Sequence, residues 1–225
     1  MKKLISILLL VVFPAGILTA QQAPAGMAAQ PNFVFDDDGG AVQIVPADLT
    51  GVGTKKFHGG AVMTSVQQVS VFLGSGWGDP KIRVRETTLL DLARIGSPQF
   101  ADLSKHDVRI LAAGAVHEDF SDLSHVQLND LVVQHKLADM LASKSVSAPR
   151  AGTVYLVFLA PGVSSSLGGH KPGTDYAAYH NFFHLQAGEV RYVVVPFSEN
   201  ATAQQAAAAR ALVDTALSPH GDGWY

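Results

Sequence analysis

Cysteine is absent from the 225-residue chain. That excludes disulfides, thiolate metal centres, a cysteine nucleophile and the acylated cysteine of a lipoprotein. Positive charge is not concentrated anywhere. Lys and Arg number 16 against 19 Asp and Glu, for a net charge of −3, and no basic block supplies the electrostatic footprint of a nucleic-acid binder. Beyond residue 20, no apolar run approaches the roughly 20 residues needed to span a bilayer. No internal repeat is visible.

Several catalytic motifs are approached and missed. "GSGWGDP" (74–80) is glycine-rich, but it has neither the G-x-G-x-x-G spacing nor the Lys and Ser/Thr of a P-loop. A tight loop with Trp77 as a packing lid explains it better. "PGVSSSLGG" (161–169) offers three serines. Ser164 has Gly162 before it but Ser166 where a nucleophile elbow needs its second glycine. "DDD" at 36–38 lacks the alternating ligands and closing Glu of an EF-hand. With Gly39-Gly40 it reads as a turn between two short strands.

The amino-terminal segment does carry a signal. Met1-Lys2-Lys3 followed by "LISILLLVVF" (4–13) has the charged start and short apolar core of an export sequence, with a plausible cut after Ala20. An uncleaved anchor is the alternative reading. Residues 1–20 are therefore expected to be a signal peptide, 21–40 a flexible leader, and 41–225 a single α/β domain in the periplasm or outside the cell.

Within the domain, strands alternate with helices. Strands are expected at 66–74, 107–116, 152–161 and 189–197, each a nearly continuous hydrophobic run. Helices are expected at 85–96, 123–144 with Ser124 as cap, and 202–218. The alternation predicts a largely parallel or mixed sheet with helices on both faces. Whether the alanines of 206–211 face solvent or an interface is left open by the spacing. Ligands in such sheets sit at the carboxyl ends of the strands, which directs attention to four exit segments: 74–80, 117–122, 161–184 and 198–202.

Two of these segments hold chemistry. In "YHNFFH" (179–184), His180 and His184 are four apart. On a helix they would share one face and could bind a metal such as zinc, although Asn181 stands where a zinc protease carries Glu. As the edge strand of a hairpin turning at Gln186-Ala187-Gly188, they would lie about 13 Å apart, too far for one ion. "HEDFSD" (117–122) brings His117, Glu118, Asp119 and Asp122, which could complete a metal site, form an acid/base pair or be a solvated loop. His58 reads as a loop histidine.

"FHGGAVMTSVQQVSVFLGSGW" (57–77) resembles the opening of the exordium, or phosphate-induced protein, family, in which a Tyr/Phe-His, a glycine-rich step and a hydrophobic strand with a closing Trp recur. The later part of the chain, 151–225, with "AYHN", "VVVPF" and "ALVDTALSPHGDGWY", is similar to that family's secreted bacterial relatives. The resemblance implies a Tyr-His pair, here Tyr179-His180, then a helix carrying His-Glu, two spacers and Glu, then a Thr-Asp-Pro step and a Gly-Trp turn. On that pattern Arg210 replaces the helix His, Ala211 the adjacent Glu, Asp214 the second Glu, and Leu217-Ser218-Pro219 the Thr-Asp-Pro. The shape-determining residues Pro219, Gly221, Gly223, Trp224 and Tyr225 remain, with Trp224 and Tyr225 expected to pack back onto the sheet. A permanent cation at Arg210 would repel a metal.

The resemblance thus implies a retained scaffold whose site has been emptied: a secreted non-catalytic binding or cell-envelope module, with an envelope glycan or protein as partner and no cofactor. The rival reading is a metal-dependent hydrolase, with zinc held by a rearranged site of His180, His184 and His117 or Glu118. A third is a paralogue that works beside an intact partner.

Overall fold

The computed structural model describes residues 33–48, 55–94, 98–121, 123 and 126–224. The expected signal peptide, most of the expected leader, Ser124, Asp122 and Tyr225 lie outside them. Among the described residues, no helix is long and apolar enough to cross a membrane.

Among the described residues, strands and α-helices follow in the chain order β1 (Phe33–Phe35), β2 (Ala41–Pro46), β3 (Ser65–Leu73), α1 (Pro80–Arg83), α2 (Glu86–Leu89), α3 (Ala101–Lys105), β4 (Arg109–Ile110), β5 (His117–Asp119), β6 (Gln127–Asn129), α4 (Asp130–Ala142), β7 (Thr153–Leu159), β8 (Ser164–Ser166), β9 (Tyr176–Leu185), β10 (Gly188–Val195) and α5 (Ala201–Leu217). The main sheet runs β1-β2-β9-β10-β7-β3, and β4 and β5 both pair along the outer edge of β3. Its β10-β7-β3 centre is parallel and its β1-β2-β9-β10 half antiparallel. The fold is therefore α/β with a mixed sheet. Strands β6 and β8 form a small parallel pair apart from it.

Successive strand residues point to opposite faces, and each face has its helix. Val133, Leu137 and Met140 of α4 meet Val71, Leu73 and Val157. On the other face lies α5, whose Ala207, Ala208, Ala209 and Ala211 are buried. The alanine run is thus an internal contact, and its small side chains let the helix lie close to the sheet. All of β7 is buried, as a strand covered on both faces must be. Each large apolar side chain so covered contributes roughly 1.5–3 kcal/mol.

Four expectations need correction. Residues 33–40 do not belong to a leader: β1 pairs with β2 in the sheet. Asp36 closes the turn between them, its Oδ1 accepting from Asp38 N (3.1 Å) and Gly40 N (2.6 Å), with Gly39 at φ +80°.

The 107–116 run is not a buried strand. Only Arg109–Ile110 pair there, and Ile110, Leu111 and Val116 are exposed. The segment lies on the outer edge of β3, and its residues 112–115 are too small to bury much surface. The helix expected at 85–96 stops at Leu89. Buried Gln68 of β3 donates to Leu89 O and accepts from Leu92 N, replacing the helical partners of those groups. The helix expected from 123 begins at Asp130 instead, because Gln127–Asn129 pair with β8, and Asn129 Oδ1 caps it by accepting from Val132 N (2.9 Å).

The two stretches that carry the family resemblance are fastened together. His58 N donates to Gly223 O, Gly60 N to Asp222 O and Met63 N to Ala216 O, at 2.8–2.9 Å. A Cβ on Gly60 would stand 2.3 Å from the Asp222 backbone, and one on Gly223 would stand 2.2 Å from Leu217 O. Only glycine permits that approach. Trp224 packs against the core, with Phe57 (5.2 Å) and His106 (4.3 Å) beside it.

Candidate functional site

"YHNFFH" is strand, not helix, and it is not an edge: β9 runs between β2 and β10, with the expected Gln186-Ala187-Gly188 region turning the hairpin. His180 and His184 point to the same face, the one bearing α5, but about 13 Å apart along the strand. Their surroundings differ. His180 is 2% exposed and its Nε2 has no partner. Burial pushes its pKa down to about 4, with Asp214 opposing and Lys55 assisting that shift, so the imidazole is neutral at physiological pH.

Beside it, Asp214 of α5 is buried and its carboxylate is occupied twice. Arg210, one helical turn earlier, contacts it through Nε at 2.8 Å, and Lys55, from the segment leading to β3, contacts its Oδ1. Burial lowers the Lys55 pKa, against the pull of Asp214. Two side-chain cations thus converge on one carboxylate of α5. Arg210 and Asp214 are an i,i+4 pair that the sequence displays. Lys55 carries no local signal at all.

His184 sits at the exposed end of the hairpin. Its Nε2 is 3.4 Å from Glu189, its cross-strand neighbour. Glu189 also receives His220 Nε2 at 3.0 Å, and Arg191 Nε stands 2.7 Å away. The hydrogen bond to Glu189 raises the His220 pKa. Burial would raise that of Glu189, but the His220 bond and the Arg191 charge bring it below the usual value. Neither Glu189 nor His220 stood out in the sequence, because the pairing across β9 and β10 and the return of the carboxyl-terminal turn create the cluster.

His117 and Glu118 lie on β5, separated from β9 by β3, β7 and β10. At about 4.8 Å per strand the two sites are roughly 19 Å apart. The structure does not bring them to His180 or His184. Among the described residues, no three His, Asp or Glu side chains are placed to hold a metal ion.

Instead, His117, Glu118 and Asp119 line an open cleft of about 400 Å³ with Lys136, Asp139 and Ser143 of α4 and the residue after it. β5 pairs with the last residues of β3, so the cleft lies where the strand-exit rule directs attention. On the opposite face of β5, where Glu118 lies in register with Phe72, Arg83 Nη2 reaches both oxygens of Glu118, at 2.7 and 2.8 Å, while its Nε is 3.6 Å from Glu86. Glu86 is 7% exposed, its Oε1 has no partner, and burial together with the nearby Glu118 charge pushes its pKa up to about 7.

The other motifs serve packing. Trp77 is fully buried, donates from Nε1 to Phe158 O at 3.0 Å and packs edge-on to Phe72. Ser164 lies in β8 opposite Gln127, and Ser165 bonds Tyr176 at 2.7 Å, so no serine elbow forms. The chain matches no protein-family model, no curated protein and no solved structure.

Proposed function

We propose that the chain is an exported, non-catalytic, exordium-like binding protein that works at the cell envelope, with a hydroxyl-rich glycan as ligand. The observation that carries this reading is the state of Asp214. A carboxylate paired with both Lys55 and Arg210 has its negative charge offset by two cations that would repel a metal ion. The tight fit of Gly60 and Gly223 around the carboxyl-terminal turn supports a scaffold kept for its shape.

The ligand surface is the cleft beside β5. Its carboxylates, Lys136, His117 and Ser143 offer both acceptors and donors, which suits a ligand whose hydroxyls do both. The open mouth suits a long chain rather than an engulfed small molecule. The test is co-sedimentation of the full chain with insoluble cell-wall glycan. Parent protein is expected in the pellet, and an Asp139→Ala/Lys136→Ala double variant is expected to bind about tenfold less at unchanged melting temperature, the loss of one or two hydrogen bonds to charged groups. Absence of binding, equal binding by the variant, or release of new reducing ends from the glycan would each refute the reading.

A further inference from the structure

The outer edge of the main sheet is one segment in two pieces. β4 pairs with the start of β3 and β5 with its end, Ile110 beside Val66 and Glu118 beside Phe72. Among the described residues, no strand pairs beyond them. Sheet edges are ordinarily protected by lysine or proline. Residues 109–120 contain neither. Four of the eight large apolar side chains exposed among the described residues lie on this segment: Ile110, Leu111, Val116 and Phe120.

The backbone of that edge has a two-fold layout. Arg109 N and Leu111 N donate to Thr64 O and Val66 O, and Asp119 O accepts from Gly74 N. Residues 109, 111 and 119 thus turn to β3, and by alternation Ile110 and Glu118 turn their N–H and C=O groups outward. Val66 and Phe72, which set the levels of Ile110 and Glu118, are equidistant from Val69. Ser65 and Leu73, beside Arg109 and Asp119, are also equidistant from it. Gly114 lies against Val69, where a Cβ would stand 2.7 Å from Val69 Cγ2, and its N–H is tied to Gln68 O. Ile110 to Glu118 is eight steps along the chain against six from Val66 to Phe72. The surplus falls between β4 and β5, where residues 112–115 are Ala or Gly.

We propose that this edge is the interface of a dimer: a second copy pairs antiparallel with it about a two-fold axis at Gly114, joining two sheets into one. In that register Ile110 of one copy faces Glu118 of the other. Their outward groups exchange two hydrogen bonds, and the symmetry repeats the exchange. Arg109 falls opposite Asp119 of the second copy, on the same face and at the close non-hydrogen-bonded position, so the charges are complementary at both ends. Leu111 falls opposite His117 in the same way. A slip of one residue sets outward groups against inward ones, so backbone and charge select the same register. The axis stands perpendicular to the sheet, and the clefts of both copies therefore open on one face, where a long ligand can engage both. That consequence rests on the glycan-binding reading; the dimer does not.

The test is sedimentation of the full chain over a range up to about 100 μM, which covers dimers of ordinary affinity. The parent is expected at twice the monomer mass at the upper end. Ile110→Pro removes an outward N–H and no bond to β3. It is expected to raise the dissociation constant about tenfold or more, the loss of two hydrogen bonds per dimer, with the monomer still folded by circular dichroism. Cross-linking tests the register, in a chain that has no cysteine of its own. Leu111→Cys and His117→Cys chains, mixed under mild oxidation, are expected to join as a disulfide-linked dimer, because opposed non-hydrogen-bonded positions lie at bridging distance. Either variant alone is expected to stay largely unlinked, its two thiols about 13 Å apart along the strands. A parent that stays monomeric throughout, bare or with a foreign peptide on this edge, would overturn the proposal. So would a dimer that Ile110→Pro does not weaken, or a mixture that links no better than either variant alone.

Discussion

Two aspartates are buried on opposite faces of one sheet, and they are stabilised by opposite means. Asp214, beneath the face covered by α5, is matched by two full charges, Lys55 and Arg210. Asp130, at the start of α4, meets only neutral donors: Tyr192 OH at 2.7–2.8 Å, Asn181 Nδ2 at 2.8 Å and Gln134 Nε2 at 2.9 Å. Burial raises the Asp130 pKa while those bonds pull it down.

The difference follows from access to water. Lys55 and Arg210 keep some exposure, 14% and 16% of their side chains, so two cations can be brought in at moderate desolvation cost. Asp130 has no exposed surface, and there fixed dipoles replace water. The Asp130 network pins α4 to β9 and β10. The Asp214 cluster ties α5 to the segment before β3.

Removing Asp130 should do the most damage. Asp130→Ala would leave two buried donors, Tyr192 OH and Asn181 Nδ2, and half-buried Gln134 Nε2 without their acceptor, and an unfolding titration should show a loss of about 3–5 kcal/mol. Asp214→Ala should cost less, about 2–4 kcal/mol, because the orphaned cations can turn toward solvent. The comparison sharpens in a triple variant. Lys55→Met, Arg210→Met and Asp214→Leu together should recover most of that loss, whereas apolar replacement of Asp130 alone should recover none.

Acid and base act in opposite directions on His180 and Glu86. The folded His180 pKa, about 4, lies below its ordinary 6.5. Between these values the unfolded chain binds the extra proton, so about 3 kcal/mol of stability present above pH 6.5 is lost as pH falls toward 4. The folded Glu86 pKa, about 7, lies above its ordinary 4.5. Its contribution is full below 4.5 and is lost as pH rises to 7. The two slopes overlap and largely offset each other. Melting curves of His180→Phe should therefore show stability falling with rising pH across that window, and those of Glu86→Gln should show it rising. A flat response in both variants would contradict the assignments.

The smallest effect belongs to the surface cluster: His220→Ala should cost under about 1 kcal/mol, and less at high salt, as exposed ion pairs do.

How much of this was legible in the sequence depends on the range of the interaction. The strands at 66–74, 152–161 and 189–197 and the helix at 202–218 stand within a residue or two of their expected limits, because their apolar runs are set by local composition. The 107–116 run has the same composition but sits on an outer edge, which only the topology reveals. Gln68 ends the helix at Leu89 from another element, so periodicity could not report it.

The site divides in the same way. Arg210 with Asp214 and Arg83 with Glu86 are helical spacings visible to the eye. Lys55 and Glu118 join those groups from other segments, and no spacing announces them. The close fit of the carboxyl-terminal turn against residues 58–63 joins segments about 160 residues apart, and no local pattern reports it.

The central claim is that side-chain cations occupy the position of Asp214. Elemental analysis of the full chain, purified without chelator and compared with His180→Ala, tests it most directly. The account predicts no stoichiometric zinc in either protein and unchanged folding of the parent on treatment with chelator. About one equivalent of zinc in the parent, lost in the variant, would contradict it.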